Sequence, residues 1–263
     1  MPKPWKSSEV DRVTSSGSLE LITPDWPAPV TVGAFSTTRI GGVSQAPFDH
    51  LNLGDHVGDD PQRVAANREL LQTALGPAVR CQWLHQVHGI QVARLNQQGP
   101  VLEADAAMTA RSGIGCLVMT ADCLPVLFCN RQGTRVAAAH AGWRGLADGI
   151  LEATLAALNE PANELMCWLG PAIGPQAFEV GSEVRQQFCQ QHPEAEQAFV
   201  SHDPIRGSWL ADIYQLARLR LQRAGVTAIY GAQACTYTDR ERFFSYRREG
   251  QTGRMASVIW IKP

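Results

Sequence analysis

Three apolar segments that follow one another closely constrain the fold more than any other feature of this sequence. They span residues 115–120, 124–129 and 135–140. Turn residues separate them. Ala-Asp, followed by Cys123, lies between the first and second segments, and Asn-Arg-Gln-Gly lies between the second and third. Short apolar runs separated in this way are typical of buried β-strands. We therefore expect adjacent strands joined by tight turns at the centre of the protein.

Helical and extended segments alternate along the rest of the chain. A Pro in the first turn and a Gly at the end predict a helix from Asp60-Pro61 to Leu75. Further helices are expected over residues 146–158, 181–192 and 211–223. Further strands are expected over residues 30–36, 81–84, 90–95, 166–169, 227–230 and 255–261. Because the crossovers are irregular and several neighbouring strands need hairpins, this order favours a mixed α/β (α+β) domain over a doubly wound parallel sheet.

Composition predicts one domain. Of 263 residues, 44% are apolar and 18% are charged, which suits a globular chain with a well-buried core. No repeat or linker-like segment divides it. The first twenty residues are polar and rich in Ser. We expect a flexible tail over residues 1–20 and a single catalytic domain over residues 21–263.

Charge and hydropathy limit the partners. The formal net charge is −2 and Lys and Arg form no cluster, which argues against a nucleic acid or an anionic membrane as partner. No apolar run approaches the roughly 18 residues of a membrane helix, and the N-terminus has no apolar signal segment. We expect a cytoplasmic protein that is a monomer or a homodimer.

Seven cysteines are present, and their number is odd. No CxxC pair occurs, so a disulfide framework or a zinc ribbon is not expected. Most of the cysteines lie in apolar runs, where cysteine packs as a small apolar residue. Cys123 is the exception, because it stands in the turn between two predicted strands and directly follows Asp122.

His140 is the most informative histidine. It ends a predicted strand and precedes Ala-Gly-Trp-Arg-Gly and a predicted helix. Polar residues at such strand-to-helix turns are where α/β proteins place reactive groups. A helix N-terminus favours an anion, and the guanidinium of Arg144 suits phosphate.

Cys123 and His140 are separated by one predicted hairpin, so adjacent antiparallel strands would bring them into contact. Such a pair serves either as two metal ligands or as a thiolate–imidazolium nucleophile. His85 and His88 lie three residues apart in an extended segment and point to opposite faces. We expect His88, just before Gly89, to reach the shared site, and His85 to be a surface or cross-strand residue.

Weaker candidates for substrate contacts lie elsewhere. A long Gly-rich loop contains Arg39 and Asn52, and loops of that length in a compact domain are usually functional. Arg247, near the C-terminus, would supply a further positive charge. The sequence has no P-loop, no GxSxG elbow and no HExxH motif.

Several longer motifs together resemble one bacterial family. They are STTRIGGVS, HLNLGDHVGD, WLHQVHG, ADAAMT, TADCLPVLF, AAAHAGWRG, WLGPAIGP, FEVGSEV, CTYT and FFSYRR. From about residue 21 to residue 261 the chain resembles the YfiH-type laccase-domain family, also described as polyphenol oxidases, purine nucleoside phosphorylases and peptidoglycan editing factors. The resemblance implies a mixed β-sandwich flanked by helices, similar to the fold of certain cysteine-hydrolase toxins.

The resemblance also implies a cofactor and an activity. His88, Cys123 and His140 would bind zinc, with copper as the alternative ion, and the family does not require His85. The implied reaction is phosphorolysis of adenosine or inosine, with adenosine deaminase and methylthioadenosine phosphorylase as further activities. The expected partners are a nucleoside and phosphate. Two His and one Cys leave one coordination position open, as in catalytic zinc sites.

Roles follow for the remaining candidates. Asp122 is expected to act as the acid that protonates a leaving amine, while Arg144 and Arg39 would orient phosphate. One alternative is a cysteine amidase that edits muramyl-serine cell-wall precursors, with Cys123 as nucleophile and His140 as base. Copper-dependent phenol oxidation is expected as a side activity at most, because the chain has no HxH pair and no His-Cys-His run.

Overall fold

Two β-sheets packed face to face form the centre of the fold in a computed structural model, which describes residues 19–263. The strands are β1 Leu21–Ile22, β2 Val32–Thr37, β3 Arg80–Gln82, β4 Leu84–His85, β5 Val92–Leu95, β6 Leu102–Glu103, β7 Ala106–Thr109, β8 Ile114–Thr120, β9 Leu124–Asn130, β10 Val136–Ala141, β11 Leu165–Leu169, β12 Glu179–Gly181, β13 Phe199–Asp203, β14 Ser208–Ala211, β15 Ala228–Gly231 and β16 Met255–Ile261. The helices are α1 Pro61–Leu75, α2 Trp143–Asp148, α3 Ile150–Leu158, α4 Ser182–Gln191, α5 Ile213–Arg223 and α6 Tyr246–Glu249, with 3₁₀ turns at Ala162–Glu164 and Pro193–Ala198. The expected tail lies outside the described residues, apart from Leu19 and Glu20.

The two main sheets are both mixed. The six-stranded sheet has the order β15-β11-β9-β10-β7-β5, and the five-stranded sheet has the order β1-β2-β16-β8-β3. The pairs β11–β15, β5–β7 and β3–β8 are parallel, and the other pairs in these sheets are antiparallel. This arrangement confirms the predicted mixed β-sandwich. Smaller sheets, β12-β14-β13 and β4-β6, lie beside the main ones.

Successive side chains of each strand point to opposite faces of the sheet, and this alternation divides the core into layers. Between the sheets, Leu127 and Ala138 meet Val118 and Ile259, and all four are fully buried. The next residues along the strands face outward onto helices. Val126 and Phe128 pack with residues of α2, α3 and α5, and Leu117 packs with residues of α1. Both faces of each central strand are therefore covered, which explains why the predicted strands read as continuous apolar runs.

The turn predicted at Ala121-Asp122 is present, but it carries the chain from the five-stranded sheet to the six-stranded sheet instead of closing a hairpin. Asp122 adopts a positive φ of 94° at this crossover. The next turn does close a hairpin, since β9 and β10 pair antiparallel with His140 opposite Pro125. Cys123 thus lies at the point where the chain changes sheets, beside the end of β10.

The first predicted helix is confirmed and the second is corrected. Asp60 caps α1 by accepting a hydrogen bond from the backbone N–H of Gln62 (2.8 Å), with Pro61 in the first turn. The helix predicted over residues 146–158 is two helices that start earlier, at Trp143. They are separated by Gly149, whose φ of 107° ends α2 in the left-handed conformation. Among the helices of residues 19–263, none has the length and apolar character needed to span a bilayer.

We expect Val126→Ala to lower the free energy of unfolding by about 2 kcal/mol, because it removes two buried methyl groups and leaves a cavity. The matched control is Val200→Ala on β13, where the side chain is 65% exposed. Its effect should stay below about 1 kcal/mol. Chemical denaturation of both variants measures the difference. Equal effects would contradict the assignment of β9 to the core.

Candidate metal centre

His140 is held in place by Asp105, a fully buried residue between β6 and β7. The Nδ1 atom of His140 lies 2.8 Å from Oδ1 of Asp105. The backbone N–H of His140 also donates to the Asp105 carbonyl (2.7 Å). With Nδ1 engaged by a carboxylate, Nε2 of His140 is the ring atom left to bind a ligand.

The same carboxylate holds the loop that carries His88. Three successive backbone N–H groups donate to it: Val87 and Gly89 to Oδ2 (3.2 and 2.7 Å), and His88 to Oδ1 (2.9 Å). His88 has a positive φ of 62°, a conformation that favours Gly, and these hydrogen bonds offset its cost. Asp105 therefore positions both histidines of the site.

A second anchor joins the His88 loop to the five-stranded sheet. The Gln86 side chain donates to the Met119 carbonyl (2.8 Å) and accepts from the Met119 N–H (2.7 Å). The loop is thus tied to β8 by Gln86 and to the segment before β7 by Asp105. Neither interaction is readable from the spacing of residues in the sequence.

The structure brings His88, Cys123 and His140 together, as the sequence analysis expects. Their ligand atoms all lie within 4.8 Å of one another. The Cys123 Sγ is 3.8 Å from His88 Nε2, and the two imidazole rings meet edge to face with centroids 4.7 Å apart. His88 is exposed, Cys123 is half-buried and His140 is buried, so the cluster opens toward solvent on one side.

Two glycines of the HAGWRG motif allow this approach. A Cβ on Gly142 would lie 2.7 Å from His88 Cδ2 and 3.1 Å from Cys123 Sγ. A Cβ on Gly145 would lie 2.8 Å from the Gly89 carbonyl oxygen. Side chains at either position would push the His88 loop away from α2. The two glycines are therefore explained by the close packing of this backbone against the His88 loop and the Cys123 sulfur.

The charges of the cluster are coupled. Burial raises the pKa of the Cys123 thiol, but His140 and His88 lower it, with a net value of about 6. Burial lowers the pKa of His140, but the Cys123 thiolate and Asp105 raise it to about 9. Burial also raises the pKa of Asp105, while the His140 hydrogen bond lowers it below its usual range. The attraction between the two groups thus favours the thiolate form of Cys123 and the protonated form of His140.

The cluster lies in a cavity of about 540 Å³. This volume is within the usual range for small-molecule sites, roughly 300–1,000 Å³. Its lining residues are Asp55, His56, Arg68, Trp83, Leu84, His85, Gln86, His88, Val101, Met119, Thr120, Ala121, Cys123, His140, Tyr246 and Arg254. His85 is exposed, as expected, and lines this cavity.

Asp122 lies next to Cys123 but has both oxygens engaged. Oδ1 accepts a hydrogen bond from Thr236 Oγ1 (2.6 Å), and Oδ2 accepts one from the Arg247 backbone N–H (2.7 Å). The Arg247 side chain turns away, donating to the Glu179 carbonyl (2.7 Å) and lying 5.7 Å from the centre of the Phe178 ring. These contacts hold the crossover turn that presents Cys123.

The other predicted substrate contacts lie outside the cavity. In the part of the chain that the structure describes, the lining does not include Arg39, Asn52 or Arg144. Arg39 is buried and forms ion pairs with Asp49 (3.2 Å) and Glu249 (3.0 Å). The Asn52 side chain donates to Asp59 (2.9 Å). Arg144 is exposed, with its guanidinium 5.1 Å from the centre of the Trp143 ring.

Comparison with known proteins identifies the family. Residues 33–262 match the model of a family described as multi-copper polyphenol oxidoreductase laccase. The chain belongs to this family. A relative named purine nucleoside phosphorylase from Pseudomonas aeruginosa is 58% identical and covers 92% of this chain and 98% of its own length. The purine nucleoside phosphorylase YfiH of Escherichia coli is 54% identical, with coverages of 92% and 99%.

Solved structures share the fold. The Neisseria meningitidis protein NMB0706 superposes with a TM-score of 0.88 at 51% identity, covering 92% of this chain and 99% of its own. YlmD from Geobacillus stearothermophilus superposes with a TM-score of 0.85 at 32% identity, with coverages of 90% and 94%. These likenesses confirm the YfiH-type resemblance and the mixed α/β architecture of this laccase-domain protein.

Replacing the carboxylate that orients the histidines should weaken metal binding. We expect Asp105→Asn to reduce the affinity of the purified protein for zinc by about 10- to 100-fold, because both the His140 tautomer and the His88 loop lose their partner. Competition with a chromophoric chelator measures the affinity. Asp25→Asn, at an exposed position, is the control and should bind zinc as the wild type does. Unchanged affinity in Asp105→Asn would contradict the role of this carboxylate.

A side chain at Gly142 should displace a ligand. We expect Gly142→Ala to lower zinc affinity, because the new methyl group occupies space held by the His88 ring and the Cys123 sulfur. Gly99→Ala is the matched control, since a Cβ at Gly99 meets no atom within 4 Å. Metal content after dialysis against a zinc buffer distinguishes the two. Full occupancy of Gly142→Ala would show that the site tolerates the displacement.

Proposed function

We propose that this laccase-domain protein is a zinc-dependent purine nucleoside phosphorylase that acts on adenosine and inosine. The observation that carries the proposal is the His2Cys cluster, which opens into a cavity of nucleoside size. Relatives at up to 58% identity that are named purine nucleoside phosphorylase support the same activity. Nucleoside and phosphate are the two substrates.

The donor set fits zinc. Two imidazoles and one thiolate are ligands that zinc and copper accept, whereas magnesium and calcium prefer oxygen. Asp105 supplies the carboxylate that commonly supports a metal-bound histidine, and Gly142 leaves the space that the donors occupy. When bound, zinc would supply a Lewis acid with one open position. Copper fits the same donors, and phenol oxidation by copper-loaded protein is the side activity this allows.

Phosphorolysis exchanges one bond for another. An oxygen of phosphate bonds to C1′ of the ribose while the bond from C1′ to the purine breaks, and the purine leaves with that electron pair and takes up a proton. The protein contributes by holding both substrates in line and excluding water. Trp83, Met119 and Tyr246 line the cavity and offer flat or flexible apolar contacts to a purine ring.

The remaining residues take positioning roles in this proposal. Asp105 orients His140 and the His88 loop. Asp122, whose two oxygens accept hydrogen bonds from Thr236 and Arg247, holds the turn at Cys123 rather than donating a proton. Arg144 at the start of α2 stays a candidate for a phosphate contact. Deamination of adenosine and cleavage of methylthioadenosine are further activities that the same cavity would accept.

A second candidate function comes from the arrangement of the same side chains. Cys123 lies within 4.8 Å of a ring nitrogen of His140, and the other ring nitrogen of His140 contacts Asp105, the order of groups that a cysteine hydrolase uses. Such an enzyme would attack an amide, for example in a muramyl-serine precursor, and would form a covalent acyl-enzyme. It would need no metal, which separates it from the phosphorylase experimentally.

The test is incubation of purified protein with adenosine or inosine, with and without phosphate, before and after chelation. We expect free purine base and ribose 1-phosphate only when phosphate is present. Activity should disappear on chelation and return with zinc. Cys123→Ala should abolish turnover, and Cys189→Ala, at a half-buried position outside the cavity, should keep it.

Two outcomes would contradict the proposal. Phosphorolysis by metal-free Cys123→Ala protein would exclude the cluster from the reaction. Chelator-resistant, Cys123-dependent cleavage of a muramyl-serine amide, with no release of purine base, would favour the hydrolase. Mass spectrometry of the protein after incubation with the amide would then detect an acyl group on Cys123.

A further inference from the structure

One arginine of the cavity forms no ion pair among the described residues. Arg254 is half-buried directly before β16 and lines the cavity together with the metal cluster. Its Nη1 donates to the carbonyls of Thr252 (2.9 Å) and Gly253 (3.0 Å), which orients the guanidinium. Within residues 19–263, its Nε and Nη2 donate to no acceptor, and it forms no ion pair. Burial lowers the pKa of Arg254, and the charges of the nearby Cys123 and Asp122 raise it. Two of its donor groups are therefore left for a ligand.

The other arginine of the cavity is already engaged. Arg68 forms an ion pair with Asp55 (3.1 Å), and its Nε donates to the Leu53 carbonyl (3.0 Å). Its guanidinium also lies over the Trp83 ring, 3.8 Å from the centroid. These contacts neutralise Arg68 and fix it as part of the wall. Of the two arginines in the lining, Arg254 is the one with free donors.

The Gly-rich loop, which the sequence predicts to contact substrate, instead holds Arg254 in place. The side-chain oxygen of Asn52 accepts a hydrogen bond from the Arg254 backbone N–H (2.9 Å), and Leu53 N–H donates to the Arg254 carbonyl (3.1 Å). A Cβ on Gly54 would lie 2.8 Å from Arg254 Cγ. Asn52 and Gly54 thus position this arginine and leave room for its side chain.

We propose that Arg254 binds the phosphate co-substrate in the metal cavity through its free guanidinium N–H groups. This inference rests on the proposed phosphorylase function and names the residue that holds the anion. A guanidinium presents a planar fork that matches two phosphate oxygens. Its partly buried position strengthens the attraction relative to an exposed arginine. Arg144, in contrast, lies outside the lining.

The test compares four metal-loaded variants: Arg254→Gln, Arg254→Lys, Arg144→Gln and the control Arg206→Gln at an exposed turn. KM for phosphate is measured at saturating inosine, and KM for inosine at saturating phosphate. Binding of inorganic phosphate alone is measured by calorimetry. Zinc content and thermal unfolding show whether each variant keeps the site and the fold.

We expect Arg254→Gln to raise the KM and Kd for phosphate by about 10- to 100-fold, the usual effect of losing hydrogen bonds to a charged group. The KM for inosine should change little. Arg254→Lys keeps the charge but loses the fork, so its phosphate KM should rise by a smaller factor. If Arg254→Gln does not fold, Arg254→Lys tests the inference by the same criterion. Its KM for phosphate should rise while its KM for inosine stays nearly unchanged.

Unchanged phosphate KM in the folded Arg254 variants would overturn the inference, as would a rise confined to Arg144→Gln. If the wild type releases no purine base, the phosphorylase proposal fails by itself. Calorimetry still tests Arg254 in that case. Phosphate binding that is lost in Arg254→Gln would support the anion site, and absent or unaffected binding would overturn it.

Discussion

The hydrogen bonds of the Asp105 carboxylate are the interaction on which the geometry of the site depends. A buried carboxylate is costly unless its oxygens are satisfied, and Asp105 accepts from three backbone N–H groups and one imidazole. The same group stabilises the left-handed conformation of His88 and selects the ring nitrogen that His140 presents. One buried charge thus couples two chain segments that β-sheet pairing alone would leave free to move apart.

A second constraint is the passage of the chain between the two sheets. β8 ends in one sheet and β9 begins in the other, so the residues that connect them cross from one sheet to the other. The chain changes direction at Asp122, which adopts a positive φ. Thr236 and the backbone of Arg247 donate hydrogen bonds to its carboxylate. Cys123 follows this crossover and is half-buried, although apolar strands flank it. The cavity lies at the crossover, since Thr120, Ala121 and Cys123 line it.

Much of the fold was predictable from local patterns, and the reasons are specific. The central strands are buried on both faces, so their apolar runs were visible, and Asp60, Pro61 and Gly76 marked the limits of α1. The break at Gly149 was not predicted, because a single Gly within an apolar periodic segment is compatible with a continuous helix. The small sheet of β12, β13 and β14 was also missed, since its strands are short, at three to five residues each.

The three donor residues were predictable because motifs surround them. Asp105 was not singled out, since its role depends on long-range hydrogen bonds that residue spacing does not encode. The same holds for Arg254, which meets the Asn52 loop only after β16 pairs in the sheet. Polar residues near Gly in a long loop suggested substrate contacts at Arg39 and Asn52. In the structure, the polar atoms of both residues instead form ion pairs or hydrogen bonds with other residues of the protein.

The three donor side chains come from segments that only the assembled sandwich brings together, so an unfolded chain offers no comparable site. A ligand that binds only the folded form shifts the folding equilibrium by RT ln(1 + [L]/Kd). Occupancy of the cluster would therefore link the conformational stability of the whole sandwich to the supply of metal around it. Protein prepared under metal limitation would be more easily unfolded, and more readily degraded by proteases, than the same chain prepared with zinc.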